Sequence, residues 1–459
     1  MLNAFLNMWK IKELRNKLLF TIGMLVIYRI GFFIPLPGVD QSALAEWAER
    51  AQGGAAGNII QFMGIFTGGN LSQSTIFGLG VMPYISAAII FQLLATVLPS
   101  LQHLKKEGAA GQQKINEWTR YATVGLCMVQ GIFWMSFMQS QRHVYAEWSG
   151  TLSFWLCGVF GLTAGTVFLM WLGEQIDKYG IGNGMSLIIT AGILASMDDA
   201  IMYITGNFDM TASDPNAFGP MKVIFLVAAF ILVVAGSIII TQGQRRIPIQ
   251  QAKHTRGRRV FGGQKSYLPL RVNHGGVMPI IFASALMMFP SLILGWMSSM
   301  WPTSGFVNFL ERNFSMGGGF LYIMLYVGLI YFFAYFWTTV QFQPKEMANQ
   351  LRDQGSLLPG LRPGPRTAEY LETVMERITY VGASFLAVIA VIPTIIAGAF
   401  NIPYNVSAFL GGTGLLITVS VMLDFVQRIE ANLLMRNYQG FLGSGGGGKG
   451  PRIRGARGG

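Results

Sequence analysis

Residues able to do covalent or metal chemistry are sparse in this chain. The four histidines, His103, His143, His254 and His274, are scattered without ligand spacing, and none pairs evidently with a nucleophile. Cys127 and Cys157 each lie inside an apolar run, the setting of buried small hydrophobes rather than of a disulfide or metal site. The stretch "GSGGGGKG" (443–450) has the spacing of a phosphate loop. It ends in Gly450 where the motif needs Ser or Thr, and no strand precedes it, so a glycine linker is the better reading. No covalent chemistry, cofactor or metal is expected.

What remains is apolar mass with localised positive charge. The 459 residues are 52% hydrophobic and 12% charged, whereas soluble domains carry about 25% charged residues. The apolar residues come in blocks long enough to span a bilayer, which predicts a polytopic, all-α integral membrane protein. Spans are predicted at 18–36, 76–98, 119–139, 152–173, 183–205, 221–241, 275–297, 319–340, 378–397 and 407–425. The basic lead "MLNAFLNMWKIKELRNK" precedes a run too long for a signal h-region, so no cleavable leader is expected. Of 33 Lys and Arg, 28 fall in the lead, the even-numbered loops and the tail, against 4 in the odd-numbered loops. The positive-inside rule then places both termini in the cytoplasm. The remaining one, Arg29, lies inside the first span near its external end, where a long side chain snorkels to the interface.

The chain repeats itself weakly. "GVMP" occurs at 80–83 and again at 276–279, opening the second and the seventh span. "GMSLIIT" (184–190) begins the fifth span and "GTGLLIT" (412–418) lies in the tenth, again five spans apart. Five is odd, so two five-span halves must run in opposite directions, as inverted-topology repeats do. The expected organisation is a cytoplasmic lead (1–17), an N-terminal half (18–205), a C-terminal half (206–440) and a basic, Gly-rich tail (441–459). Aligning the repeats sets Ile85 opposite Ile281 and Ile189 opposite Ile417. Four isoleucines where the halves meet make an apolar constriction that closes by dewetting. Singly, each is an ordinary lipid- or helix-facing residue. Pro83 and Pro279 fall in the first turns of their helices, where a missing N–H costs little.

Three loops are unusual. "NIIQFMGIFTGGNLSQ" (58–73) is too short to span and too apolar for a solvated loop; it reads as an interfacial segment or a re-entrant plug. The sixth loop, 242–273, carries 8 basic residues and no acid, which suits a polyanion, an acidic protein face or lipid headgroups. The eighth, 341–377, carries 5 basic and 5 acidic residues and includes "LLPGLRPGPRTAEYL". Within the spans Asp, Glu, Lys and His are nearly absent, which disfavours an ion-coupled transporter or proton relay. A small-solute secondary transporter with inverted repeats is the alternative to a channel, and an intramembrane hydrolase lacks a nucleophile and base.

From about 15 to 440 the sequence resembles the SecY family, the channel subunits of the bacterial protein translocase. The likeness rests on "RIGFFIPLPGVD", "GVMPYISAAIIFQLL", "HLKKEGAAGQQKINEWTRYAT", "FLMWLGEQIDKYGIGNGMSLI", "GQRRIPIQQAK", "LPLRVNHGGVMPIIFAS", "PKEMANQL", "PGLRPGPRTAEYL" and "GGTGLLI", in that order. The resemblance implies a protein-conducting channel in the cytoplasmic membrane, passing unfolded chains outward and releasing signal or transmembrane helices into lipid. It implies a pore ring at Val81, Ile85, Met185, Ile189, Ile281 and Ile417, where Val81 and Met185 depart from an all-isoleucine set. It implies a plug at about 59–70, including Ile59, Ile60, Phe62, Met63, Ile65 and Phe66. A lateral gate between the second and seventh spans would use Val81, Pro83, Ile85, Ile89, Gln92, Val277, Pro279, Ile281 and Phe282. Arg245, Arg246, Arg256, Arg258, Arg259 and Arg362 would receive a SecA motor ATPase or the ribosome. The implied partners also include SecE-like and SecG-like small membrane subunits, signal-peptide-bearing unfolded substrates and anionic lipids.

Overall fold

The computed structural model describes residues 11–44, 46, 74–140, 142–209, 218–251, 254–256, 259–261, 265–276, 278–301, 304–314, 319–361, 364–400 and 413–443. Ten long helices stand where the ten spans are predicted: α1 (Lys12–Gly31), α2 (Met82–Val97), α4 (Ala109–Ser140), α5 (Leu152–Tyr179), α6 (Gly184–Gly206), α7 (Pro220–Gln242), α8 (Met278–Met300), α10 (Phe320–Gln341), α12 (Pro365–Phe400) and α13 (Thr413–Gly443). Shorter helices α3 (Pro99–Lys106), α9 (Gly305–Phe314) and α11 (Pro344–Asp353) lie between them. Among the described residues α4, α5, α6, α7, α10 and α12 are long and apolar enough to cross a membrane, and α2 joins them if taken with α3 across a sharp bend.

The boundaries differ from expectation at several places, among them α4, which starts ten residues early at Ala109, and α13, which runs on to Gly443. The first helix ends at Gly31, before Pro35 and Pro37, because residues preceding proline avoid the helical region. The second begins only at Met82, six residues late. The ninth begins at Pro365, so the second part of the eighth loop is helix. Helix starts follow local chemistry: Pro stands in the first turn of α2, α3, α7 and α11, where the missing N–H would be unpaired anyway. At α6 the Asn183 carboxamide oxygen accepts from Ser186 N (3.1 Å), an N-cap, and the Asp177 carboxylate accepts from Gly184 N (2.7 Å). Hydroxyls within the helices donate to carbonyls one turn back, as Thr119, Thr123, Thr163 and Ser237 do, which pairs these groups within their own helices.

Helix pairing repeats with a period of five. α1 packs on α5 and α6, and α7 packs on α12 and α13; α2 packs on α4, and α8 on α10; α4 packs on α5, and α10 on α12. α6 and α13, the fifth and tenth helices, touch each other across the two halves.

The sixth loop holds a structure that the helical reading omits. β1 (Gln244–Gln251) pairs antiparallel with β4 (Lys265–Arg271), and between them β2 (His254–Arg256) pairs with β3 (Arg259–Phe261). β5 (Ser356–Leu357) of the eighth loop adds to β1 through Gln250 and Gln251, giving the order β4-β1-β5. The strand alternates as a half-buried sheet must: Arg245 and Arg246 are exposed, Ile247 and Ile249 buried. Those isoleucines and Leu270 share a core with Phe342, Leu351, Leu358, Leu371, Val374, Met375 and Ile378. The two loops therefore form one folded unit on the ends of α7, α8, α10 and α12.

At the opposite end, residues 38–44 are clasped to 142–145. Asp40 N donates to His143 O (2.9 Å) and Tyr145 N to Gly38 O (3.2 Å). The Asp40 carboxylate accepts from Ser42 Oγ (2.6 Å) and from the Ser42 and Ala43 amides, chiefly the hydroxyl holding it below the usual carboxylate range. Burial lowers His143 below its ordinary 6.5, against the pull of Asp40. Both folded values are depressed, so this stability is fully present above the ordinary histidine value and is lost as pH falls through the folded ones. Hydrogen exchange of the Asp40 and Tyr145 amides, corrected for intrinsic rate, is expected to lose protection progressively as pH falls below 6.5. His143→Gln should flatten that dependence above the carboxylate range.

Candidate pore and gate

α2 has 16 residues, which rise about 24 Å, less than the about 30 Å of a bilayer's hydrocarbon core. A helix this short needs non-helical backbone or the bent α3 to complete a crossing. The non-helical backbone before it is paired within the protein: Leu36 N to Ser74 O (3.0 Å), Ile76 N to Ile34 O (3.1 Å), Gly78 N to Thr75 O (2.8 Å) and Gly80 N to Phe77 O (2.7 Å). Irregular backbone is tolerated within a bilayer only when enclosed in this way.

The two GVMP copies hold their glycines alike. Gly80 has φ +56° and Gly276 has φ +58°, the left-handed region that glycine enters without penalty. In each copy the methionine, Met82 or Met278, is the first helical residue and the proline the second. The short sequence match is thus a structural match at equivalent positions of the pairing repeat.

The expected ring residues come together. Val81, Ile85, Ile189, Ile281 and Ile417 are all buried in one apolar cluster, and Met185 packs against it from a half-buried position. They arrive on four helices, α2, α6, α8 and α13, two from each half. Ile417 is only 1% exposed, so in this closed arrangement nothing at its side chain is wet. The cluster also holds Tyr28, Phe32, Phe77, Leu187, Leu415 and Leu416, which the sequence reading did not single out; their apolar type alone does not separate them from lipid-facing neighbours. Small residues let the helices close: a Cβ on Gly173 would collide with the Met185 side chain, one on Gly184 with the Gly173 backbone, and one on Gly165 with the Ile76 carbonyl.

Of the expected gate residues, Pro83 and Pro279 are buried and Ile89 and Gln92 half-buried. Phe282 lies on the face of α8 that packs on α10, its ring edge-on to Phe333 (5.6 Å) and Trp337 (5.4 Å). Val277 and the plug stretch (Ile59, Ile60, Phe62, Met63, Ile65 and Phe66) lie outside the described residues, as do Arg258 and Arg362. Arg245 and Arg246 are exposed on β1, and Arg256 and Arg259 are register partners at the β2–β3 turn. Arg29 stands in the last turn of α1, 5.9 Å from the centre of the Phe33 ring, a contact suited to structure. An ion pair also escaped the sequence reading: Arg120 Nε on α4 lies 2.7 Å from Glu174 Oε1 on α5. Both side chains are partly exposed and lie outside the apolar cluster. No cluster of His, Cys, Asp and Glu fit for a metal occurs among the described residues.

Comparison with known proteins bears directly on this arrangement. The SecY family model matches residues 75–426. The chain is 40% identical over 461 residues to the protein translocase subunit SecY of Thermotoga maritima, covering 100% of both. A solved structure described as a protein-conducting channel aligns with a TM-score of 0.62 at 18% identity, over 94% of each chain. Sec61 in the canine ribosome–channel complex aligns with a TM-score of 0.58 at 17% identity, again over 94% of each.

Burying a carboxamide in the apolar cluster without partners costs about 1–3 kcal/mol. The expected result of Ile189→Asn or Ile417→Asn is a measurable resting ion conductance in planar bilayers, with the isosteric Ile417→Leu remaining tight. An Asn variant as tight as the parent would remove that residue from the constriction.

Proposed function

Because this chain belongs to the SecY family, we propose that it is the protein-conducting channel of a translocase, passing unfolded polypeptides through the ring of Val81, Ile85, Met185, Ile189, Ile281 and Ile417. The observation that carries this reading is the convergence of apolar residues from both halves at helix starts. Such a seal excludes water and ions by dewetting, and it presents no charge to which a particular solute would bind. The gate runs between α2 and α8, each preceded by a left-handed glycine, and apolar signal or transmembrane helices leave through it into lipid. The stretch 59–70 serves as the plug, in keeping with its apolar content.

The chain sits in the cytoplasmic membrane with both termini in the cytoplasm, in keeping with its 28-to-4 distribution of basic residues. The folded unit of the sixth and eighth loops then faces the cytosol. Arg245 and Arg246, with Arg256, Arg258, Arg259 and Arg362, receive a SecA motor ATPase or a ribosome there. The ribosome-bound state of the Sec61 relative supports a ribosome as one occupant. SecE-like and SecG-like small subunits flank the helices, anionic lipids meet the basic loops, and energy comes from partners.

Reconstituted vesicles test the reading. Export of a signal-peptide-bearing substrate should require the motor and its ATP hydrolysis and persist after ion gradients are collapsed. Gradient-driven uptake of a small solute without any motor would overturn it. In the same vesicles Arg362→Glu should reduce motor-driven export by about tenfold or more, the size of losing one charge-assisted contact, while membrane insertion of a short apolar helix falls less. Equal effects on both would remove Arg362 from motor coupling.

A further inference from the structure

The two GVMP turns are alike in backbone but not in what holds them. Before α2, Gly80 closes a bare turn onto Phe77. Before α8, the Asn273 carboxamide donates through Nδ2 to Gly276 O at 2.8 Å, tying the carbonyl of the left-handed glycine back to the end of β4.

Residues 272–275 are held by contacts from several elements. Val272 N donates to Gly243 O (2.9 Å). A Cβ on Gly382 would come within 2.6 Å of the Val272 carbonyl oxygen, and one on Gly275 within 2.9 Å of the Pro279 ring and 3.1 Å of Trp337. His274 is fixed as well, with Nδ1 2.7 Å from Arg271 O and its ring edge-on to Phe342. At Gly276 this changes abruptly: a Cβ there would meet nothing within 4 Å. A small cavity lies behind the turn, lined by Asn273, Gly275, Pro279, Thr338, Thr379 and Gly382 among others. An anchored segment thus ends at one residue, and an unconfined, left-handed glycine begins the helix.

We propose that Gly276 is the pivot of α8 and that the Asn273 side chain is the latch that sets its closed orientation. Asn273 is a positioning residue acting through α8, and it couples the cytoplasmic sheet unit to the gate. The inference rests on the gate reading above. The latch is one hydrogen bond across a turn with open space beside it, so it can break and reform without disturbing the packed anchor. A push on the sheet unit reaches α8 through β4, while α2 starts from a turn with no such connection to the loops.

The test uses the complete channel, with its small subunits, in liposomes. Spin labels go at Ile90 on α2 and Leu286 on α8, both exposed, and their separation is measured by pulsed electron paramagnetic resonance. A control pair, Ile90 with the exposed Phe133 on α4, lies within the first half. Asn273→Asp keeps the side-chain shape and loses the donor. It should raise the minor population of the Ile90–Leu286 distribution about three- to tenfold, the effect of one lost hydrogen bond, and leave the control pair unchanged. Gly276→Ala should shift the same distribution more than Gly276→Asn, because asparagine tolerates the left-handed region. An unchanged Ile90–Leu286 distribution in Asn273→Asp and Gly276→Ala, or an equal disturbance of the control pair, would overturn the latch. Failure of the channel reading shows separately, as absence of motor-driven export by the parent channel.

Discussion

A backbone amide inside a bilayer has no water to fall back on, and the arrangement of this chain follows from that. A helix satisfies itself, but α2 alone is too short to cross, and the eight described residues before it are unhelical backbone. Their amides find partners in 34–36 and in their own turns. Protein must then enclose them, which is why Phe77 sits among Tyr28, Phe32 and Leu169 in the central cluster. The enclosing helices can come near only where side chains are missing, at Gly31 against Phe77 and Gly165 against Ile76. A larger side chain at either glycine would push a helix off the segment and expose amides, each costing several kcal/mol in hydrocarbon. The starting point of one helix thus dictates the small residues of two others.

Inversion then gives the second half a different relation to water. The α8 copy of the turn, like the α2 copy, stands at the start of its helix, but next to the sheet that joins the sixth and eighth loops. The conformation at Gly80 and Gly276 is shared, but one turn is buried in apolar protein and the other is continuous with β4. Symmetry of sequence therefore produces asymmetry of attachment. One helix is rooted among the helices of its own half and the other in a sheet unit with its own core of Ile247, Leu270, Leu371 and Met375.

Much of this was legible before any coordinates, because long apolar blocks leave a membrane chain few choices. The ten helices, their period of five and the meeting of Ile85, Ile189, Ile281 and Ile417 all follow from block spacing and two short repeats. Helix ends were less legible. Hydropathy does not distinguish an apolar turn from an apolar helix, so 76–81 reads as span although Gly80 breaks it; conversely, the amphipathic first turns of α12 read as loop. The sheet was hidden for another reason. "QRRIPIQQ" does alternate, but its two prolines across the pair, Pro248 and Pro269, suggest loop, and the two-residue β5 is recognisable only once β1 is beside it. The orientation of Phe282 toward α10 depends on helix rotation, which an all-round apolar helix does not encode.

The composition of the seal also bears on how it opens. A buried ion pair across the two halves would hold them shut, but breaking it would strand charges at a cost of 3–5 kcal/mol per pair. Apolar contacts separate differently, at about 25 cal/mol for each Å² exposed, so the cost rises gradually as the halves part. They are also indifferent to what replaces the lost neighbour. In the proposed ring, a polypeptide entering between Val81, Ile85 and Ile281 would restore with its own side chains much of the apolar contact that parting removes, whatever its sequence. The Arg120–Glu174 pair fits the same logic: it joins α4 to α5 within one half, where nothing has to part. The ring cluster that joins the halves is itself apolar, so the contact that must part there is non-directional.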